Sequence, residues 1–100
     1  MTLTIQETDD KLFGTLCGRL DTAAAAQFEQ DIEPLKQNAD KLIVLDLSQL
    51  EFISSSGLRH LLSLRKATMT LGGNVTLKHV SNDIMQVFTL TGFNNLFTFE

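Results

Sequence analysis

Lys41-Leu42-Ile43-Val44-Leu45-Asp46-Leu47-Ser48 leads, through Gln49-Leu50-Glu51, into Phe52-Ile53-Ser54-Ser55-Ser56-Gly57-Leu58. Near-continuous Leu, Ile and Val over a short run is how a strand buried on both faces reads, typically a central parallel one. We expect that strand over Lys41 to Leu47, a short loop after it, and a helix opened by the serines. The apolar side of that helix is assigned to Leu58, Leu61, Leu62 and Met69, and Gly72-Gly73 ends it. Beyond it, Asn74 to His79 alternates through Val75 and Leu77 as another strand. Ser81 can cap a third helix carrying Ile84, Val87 and Phe88, which ends near Thr91-Gly92, and Leu96 to Phe99 adds a last strand.

Upstream, Thr2 to Glu7 and Lys11 to Gly18 both alternate, and Asp9-Asp10 turns between them, so the two pair as a hairpin. In the second run Leu12, Gly14 and Leu16 share one side, while Phe13 and Cys17 lean to the other. Asp21 or Thr22 caps a helix that begins in Ala23 to Ala26 and carries Ala25, Phe28, Ile32 and Leu35 at helical spacing. Pro34 lacks an N–H and disfavours helical backbone at Glu33, which predicts an end or kink there. The order is hairpin, helix, strand, helix, strand, helix, strand. It predicts an α/β fold: a mixed central sheet with an N-terminal hairpin, largely parallel strands, and helices packed on it.

One hundred residues, 43% of them apolar, fit a single domain over 1–100 with one core. Four of the seven Phe, namely Phe88, Phe93, Phe97 and Phe99, fall near the C-terminus, so that end should pack down. A net charge of −4 with eight scattered basic residues argues against direct nucleic-acid binding, which draws on clustered Lys and Arg. The longest apolar run, Leu42 to Leu47, is far short of the ~20 residues of a bilayer span, so no membrane insertion is expected. MTLTIQETDD has acidic residues where a signal peptide carries basic ones, which makes a cytoplasmic chain the default. The lone Cys17 is expected to be a buried structural thiol.

Three hydroxyls, Ser54, Ser55 and Ser56, arrive where a helix begins. The first turn of a helix has unpaired N–H groups and carries roughly half a positive charge, so an oxyanion is favoured there. A phosphate on one of these serines would add about −1.5 to −2 charge and three acceptor oxygens. Ser-Ser-Ser-Gly taken alone reads first as a helix cap, because Ser is a preferred N-cap residue.

The wider pattern resembles the STAS domain of bacterial anti-sigma factor antagonists. Gly18-Arg19-Leu20-Asp21 is similar to that family's G-x-L-D, and Ile43 to Ser48 to its strand ending in D-L-S. Phe52-Ile53-Ser54-Ser55-Ser56-Gly57-Leu58 resembles its F-I-D-S-S-G-L signature. Gly72-Gly73, Val80-Ser81 and Phe88 to Phe93 follow in family order. The resemblance implies that Ser55, two residues before the signature glycine, is the phosphoacceptor. It implies a partner surface of Asp21, Thr22, Ser54, Ser55, Ser56, Gly57 and Arg59, with the Asp21-Thr22 loop lying beside the serine loop. Capping by Asp21 or Thr22, and a solvated helix-face charge at Arg59, are readings that stand beside those roles.

In that family the unphosphorylated protein binds an anti-sigma factor with serine kinase activity and so frees a sigma factor. Phosphorylation ends the binding, and a PP2C-type phosphatase restores it. ATP and Mg²⁺ belong to the kinase, so this chain is assigned no cofactor; a monomer or weak dimer is expected. Ser54 departs from the Asp usual before the phosphoacceptor. It spares an incoming phosphate an acidic neighbour but removes a feature that a kinase or phosphatase could read.

Two other functions fit a STAS-like domain: a soluble subunit of a lipid or anion transport complex docking on an ATPase, and a nucleotide-sensing module using the same helix end. Enzymatic activity is not expected. His60 and His79 have no partners at catalytic or metal-ligand spacing, no P-loop or G-x-S-x-G elbow occurs, and Asp9-Asp10 sits in a turn. Asp46 is read as a hydrogen-bonding anchor for the strand end or the following loop.

Overall fold

In the computed structural model, which describes Met1–Glu100, the strands β1 (Thr2–Glu7), β2 (Lys11–Leu20), β3 (Leu42–Ile53), β4 (Asn74–Lys78) and β5 (Thr98–Phe99) lie side by side in chain order. β1 and β2 form the antiparallel hairpin, and every later neighbour pairs parallel. The helices between them are α1 (Thr22–Asp31), the one-turn α2 (Glu33–Gln37), α3 (Ser55–Leu71) and α4 (Asn82–Leu90), with a 3-10 turn at Phe93–Asn95. Strand order never reverses. Right-handed crossovers that always advance the same way put every helix on one face of the sheet.

That one-sidedness decides what is buried. Leu12, Leu16 and Leu20 of β2, with Ile43 and Leu45 of β3, face the helices and join Phe28, Ile32, Leu58, Leu61, Leu64, Ile84 and Phe88 in one continuous core. The opposite side of β2 carries Phe13, Thr15, Cys17 and Arg19, all exposed. The expectation of a buried Cys17 is therefore corrected: its thiol lies on the sheet face that no helix covers.

β3 corrects a second expectation. It does not stop at Leu47 but runs without a loop to Ile53. Opposite β2 its register slips twice, between the partners of Thr15 and Cys17 and again between those of Gly18 and Arg19. Each slip gives β3 an extra residue, as a bulge does. At the first, the Ser48 N–H donates to Asp46 Oδ1 at 2.8 Å, so Asp46 anchors the irregular backbone.

Pro34 sits in the first turn of α2, just past a break at Ile32, as its missing N–H requires. Gly72 closes α3 in the left-handed conformation (φ 81°). The buried stripe of α3 is Leu58, Leu61, Leu64 and Thr68; Leu62 is half-buried and Met69 is 60% exposed, which corrects their assignment to the apolar side. Thr68 is tolerated inside because its hydroxyl donates to the Arg65 carbonyl at 2.6 Å. At the C-terminus Phe97 and Phe99 meet Phe88 edge-to-face, with centroids 5.6 and 5.5 Å away.

Candidate functional site

Two strand-to-helix turns meet at the carboxyl end of the sheet. Leu20, last in β2, pairs with Ile53, last in β3, and the Ser54 N–H donates to the Leu20 carbonyl at 2.8 Å, tying one turn to the other. Each strand hands over to its helix in the same way. Asp21 caps α1 by accepting from the Ala24 N–H at 2.8 Å. Ser54 caps α3 by accepting from the Gly57 N–H at 3.1 Å. The residue after each cap, Thr22 in one turn and Ser55 in the other, opens its helix with an exposed hydroxyl. Of the two candidate caps for α1, Asp21 is the one used.

Gly57 explains how close the turns come. A Cβ there would stand 2.6 Å from Leu20 Cγ and 2.8 Å from Leu20 Cδ2. Such separations are well inside van der Waals contact, so only glycine lets the first turn of α3 rest on the end of β2.

The electrostatics of the two turns differ. The α1 turn carries a carboxylate at its cap. The α3 turn has a neutral cap and no acidic residue in its first turn, so the partial positive charge of that helix end is unopposed. The N–H groups of Ser55 and Ser56 have no intrahelical acceptor. Arg59, one turn further on, is exposed and makes no ion pair within 4.0 Å. His60 reaches Glu29 of α1 at 3.9 Å, on the seam between the two helices.

Thus Asp21, Thr22, Ser54, Ser55, Ser56 and Gly57 come together on one rim, with Arg59 one helical turn along from Ser55. Ser55 is exposed, Ser54 and Ser56 are half-buried, and Gly57 is buried, reachable only as backbone support. A hydroxyl so placed can accept a phosphoryl group, and the adjacent N–H groups can hold the dianion. Residue patterning missed Arg19 and Phe52. The β3 bulges bring them opposite each other on the open face of the sheet, where the Arg19 guanidinium lies 4.6 Å from the ring centroid of Phe52. The only signal in the sequence was a Phe flanked by Glu51 and Ile53 in a stretch that reads as loop.

A family model described as the STAS domain matches residues 2–100. The chain belongs to the STAS domain family. It is 32% identical over 97 residues to BtrV of Bordetella bronchiseptica, named "putative anti-sigma factor antagonist"; the match covers 97% of this chain and 84% of BtrV. That similarity places this STAS domain in the anti-sigma factor antagonist family, whose members are non-enzymatic regulators. Among solved structures it superposes with a TM-score of 0.86 on tm1081 of Thermotoga maritima, which bears the same description, at 22% identity over 97% of this chain and 84% of that one. The anti-sigma factor antagonist SpoIIAA in its unphosphorylated form matches at TM-score 0.72 and 22% identity, over 89% and 83% of the two chains. The Bacillus cell fate determinant SpoIIAA in its phosphorylated form matches at 0.74 and 21%, over 99% and 91%. At these identities the superpositions establish the five-stranded STAS fold. No helix of this STAS domain is long and apolar enough to cross a membrane.

Proposed function

We propose that this STAS domain is an anti-sigma factor antagonist whose partner surface is the rim formed by the two capping turns, and that phosphorylation of Ser55 switches the surface off. The observation that carries the reading is the exposed Ser55 hydroxyl on a helix end with a neutral cap, beside a turn whose cap is the Asp21 carboxylate. Unphosphorylated, the rim offers Thr22, Ser55 and Arg59 to an anti-sigma factor that carries serine kinase activity. Arg19 stacked on Phe52 adds an apolar, cationic shoulder next to it.

Transfer of a phosphoryl group from the kinase's ATP to Ser55 Oγ puts a near-dianion at the centre of the contact. The Ser55 and Ser56 N–H groups and the α3 dipole stabilise it in place, so the fold survives. The partner then faces new bulk and negative charge where it had packed, next to the charge already on Asp21. A phosphatase of the PP2C type reverses the change. The setting is cytoplasmic. The match to SpoIIAA in both phosphorylation states supports a fold that tolerates such a modification.

The test is affinity for the cognate anti-sigma factor by titration calorimetry with Ser55→Asp and Ser55→Ala. Ser55→Asp should weaken binding by about tenfold or more, equivalent to ~1.4 kcal/mol, while Ser55→Ala binds normally and is no longer phosphorylated. Wild-type affinity in both variants, with no phosphate at Ser55 by mass spectrometry, would contradict the proposal. So would affinity capture that returns the ATPase subunits of a transporter and no kinase-fold partner.

A further inference from the structure

The two edges of the sheet are unequal. β5 is two residues long and offers little to pair with. β1 is six residues long, pairs only with β2, and between Thr2 and Gln6 contains no charge, proline, glycine or bulge. Those are the features by which edge strands ordinarily avoid pairing with another chain.

The hairpin fixes which backbone groups are free. The Thr8 N–H donates to the Lys11 carbonyl at 2.9 Å, so Thr8 and Lys11 are a hydrogen-bonded pair. Alternation along an antiparallel ladder then turns the N–H and C=O of Gln6, Thr4 and Thr2 toward β2, and those of Leu3, Ile5 and Glu7 outward. Leu3 and Ile5 are also the two apolar side chains of β1 that point to the helical layer, on the face they share with Glu7, and both are only half-buried against the core. The outer edge therefore presents unpaired backbone groups and incompletely covered apolar side chains at the same residues.

We infer that β1 pairs with β1 of a second copy of this chain, antiparallel and centred on Thr4. The strand is self-complementary in that register. Leu3 meets Ile5 of the other copy and Ile5 meets Leu3, each through outward-facing backbone groups; Thr2 lies opposite Gln6, and Thr4 opposite itself. A two-fold axis normal to the sheet relates the copies, so both helical layers lie on the same side and the sheet continues across ten strands. Centring on Ile5 would instead place Leu3 against Glu7, a carboxylate already paired with Lys41 at 2.8 Å. A single six-residue strand pair buries far less than the roughly 1,200 Å² of a standard stable interface, so the dimer is weak and concentration-dependent. This inference does not rest on the role of Ser55.

Sedimentation equilibrium over a wide concentration range tests it. Thr4 is exposed and sits on the two-fold axis, so Thr4→Lys puts two lysines directly opposite each other, their Cα atoms about 4.5 Å apart, and should raise the dimer dissociation constant about two- to fivefold. Mixing Thr4→Lys with Thr4→Asp should restore association to at least the wild-type level. With Cys17 replaced by Ser, Thr4→Cys should form an intermolecular disulfide under mild oxidation. A wild-type protein that stays monomeric into the millimolar range overturns the inference. So does a dimer that Thr4→Lys leaves intact, a charge-swapped mixture no tighter than Thr4→Lys alone, or a Thr4→Cys protein that does not cross-link.

Discussion

The β2–α1 turn and the β3–α3 turn are built to one plan and differ in charge. In each, the strand ends on a buried aliphatic residue, Leu20 or Ile53, the next residue caps the helix, and the one after it exposes a hydroxyl. In the first the cap is Asp21, whose acidic side chain answers the helix dipole. In the second the cap is Ser54, which satisfies the Gly57 N–H and leaves the dipole unanswered. The contrast separates two uses of a helix N-terminus. One is complete as folded; the other has room for a charge that arrives later.

The largest effect on stability should come from the point where the turns touch. Position three of α1 is Ala24, which has space for its methyl group, and position three of α3 is Gly57, which has none. Gly57→Ala should lower the free energy of unfolding by about 1–3 kcal/mol in a urea titration. An unchanged midpoint would mean that α3 is not seated on Leu20.

Removing either cap comes next. Asp21→Ala and Ser54→Ala should each cost about 1 kcal/mol, but only the Asp21 deficit should shrink in high salt, since only it includes a charge–dipole contribution. Equal salt responses would erase the distinction between the turns.

Ser54→Asp makes the second turn resemble the first. It should stabilise the unmodified protein by about 0.3–1 kcal/mol. Phosphorylation at Ser55 should then lower Tm relative to the unmodified variant, which it does not do beyond a few degrees in wild type, because two negative charges share one helix end.

The smallest effect lies away from the rim. The Ser48 N–H, with a further contribution from His79 at 3.4 Å, holds the Asp46 carboxyl below its ordinary value of 3.8 although partial burial opposes this. A carboxyl with a lowered folded value adds stability that is present above 3.8 and is lost as pH falls through the folded value. Wild-type stability should therefore fall more steeply on acidification in that window than that of Asp46→Asn. Parallel acid limbs would remove Asp46 as the anchor of the first β3 bulge.

Much of this layout is legible in the residues, because the deciding signals are local. Leu42 to Leu47 reads as a central strand from its near-continuous apolar run, broken only by Asp46, Pro34 marks the break between α1 and α2, and Ser81 and Gly72 mark helix ends by their capping chemistry. What could not be read depends on tertiary partners. Bulges shift the buried positions of β3 to Leu47, Leu50 and Ile53, a spacing of three that conceals the strand's continuation. Cys17 and Met69 sit in patterns that fit burial, and only the absence of a second helical layer and the rotation of α3 expose them. The rim itself was half visible: Ser-Ser-Ser-Gly announced a helix start, whereas its tie to Asp21 through the Leu20 carbonyl needed the sheet register.

The central claim is that a dianion at Ser55 separates this STAS domain from its anti-sigma factor while leaving the fold intact. The direct measurement compares protein phosphorylated stoichiometrically at Ser55 with the unmodified protein, recording the Kd for the anti-sigma factor and the Tm of each. We expect affinity to fall by about tenfold or more with Tm within a few degrees. Equal affinities would contradict the account, as would a loss of binding accompanied by unfolding.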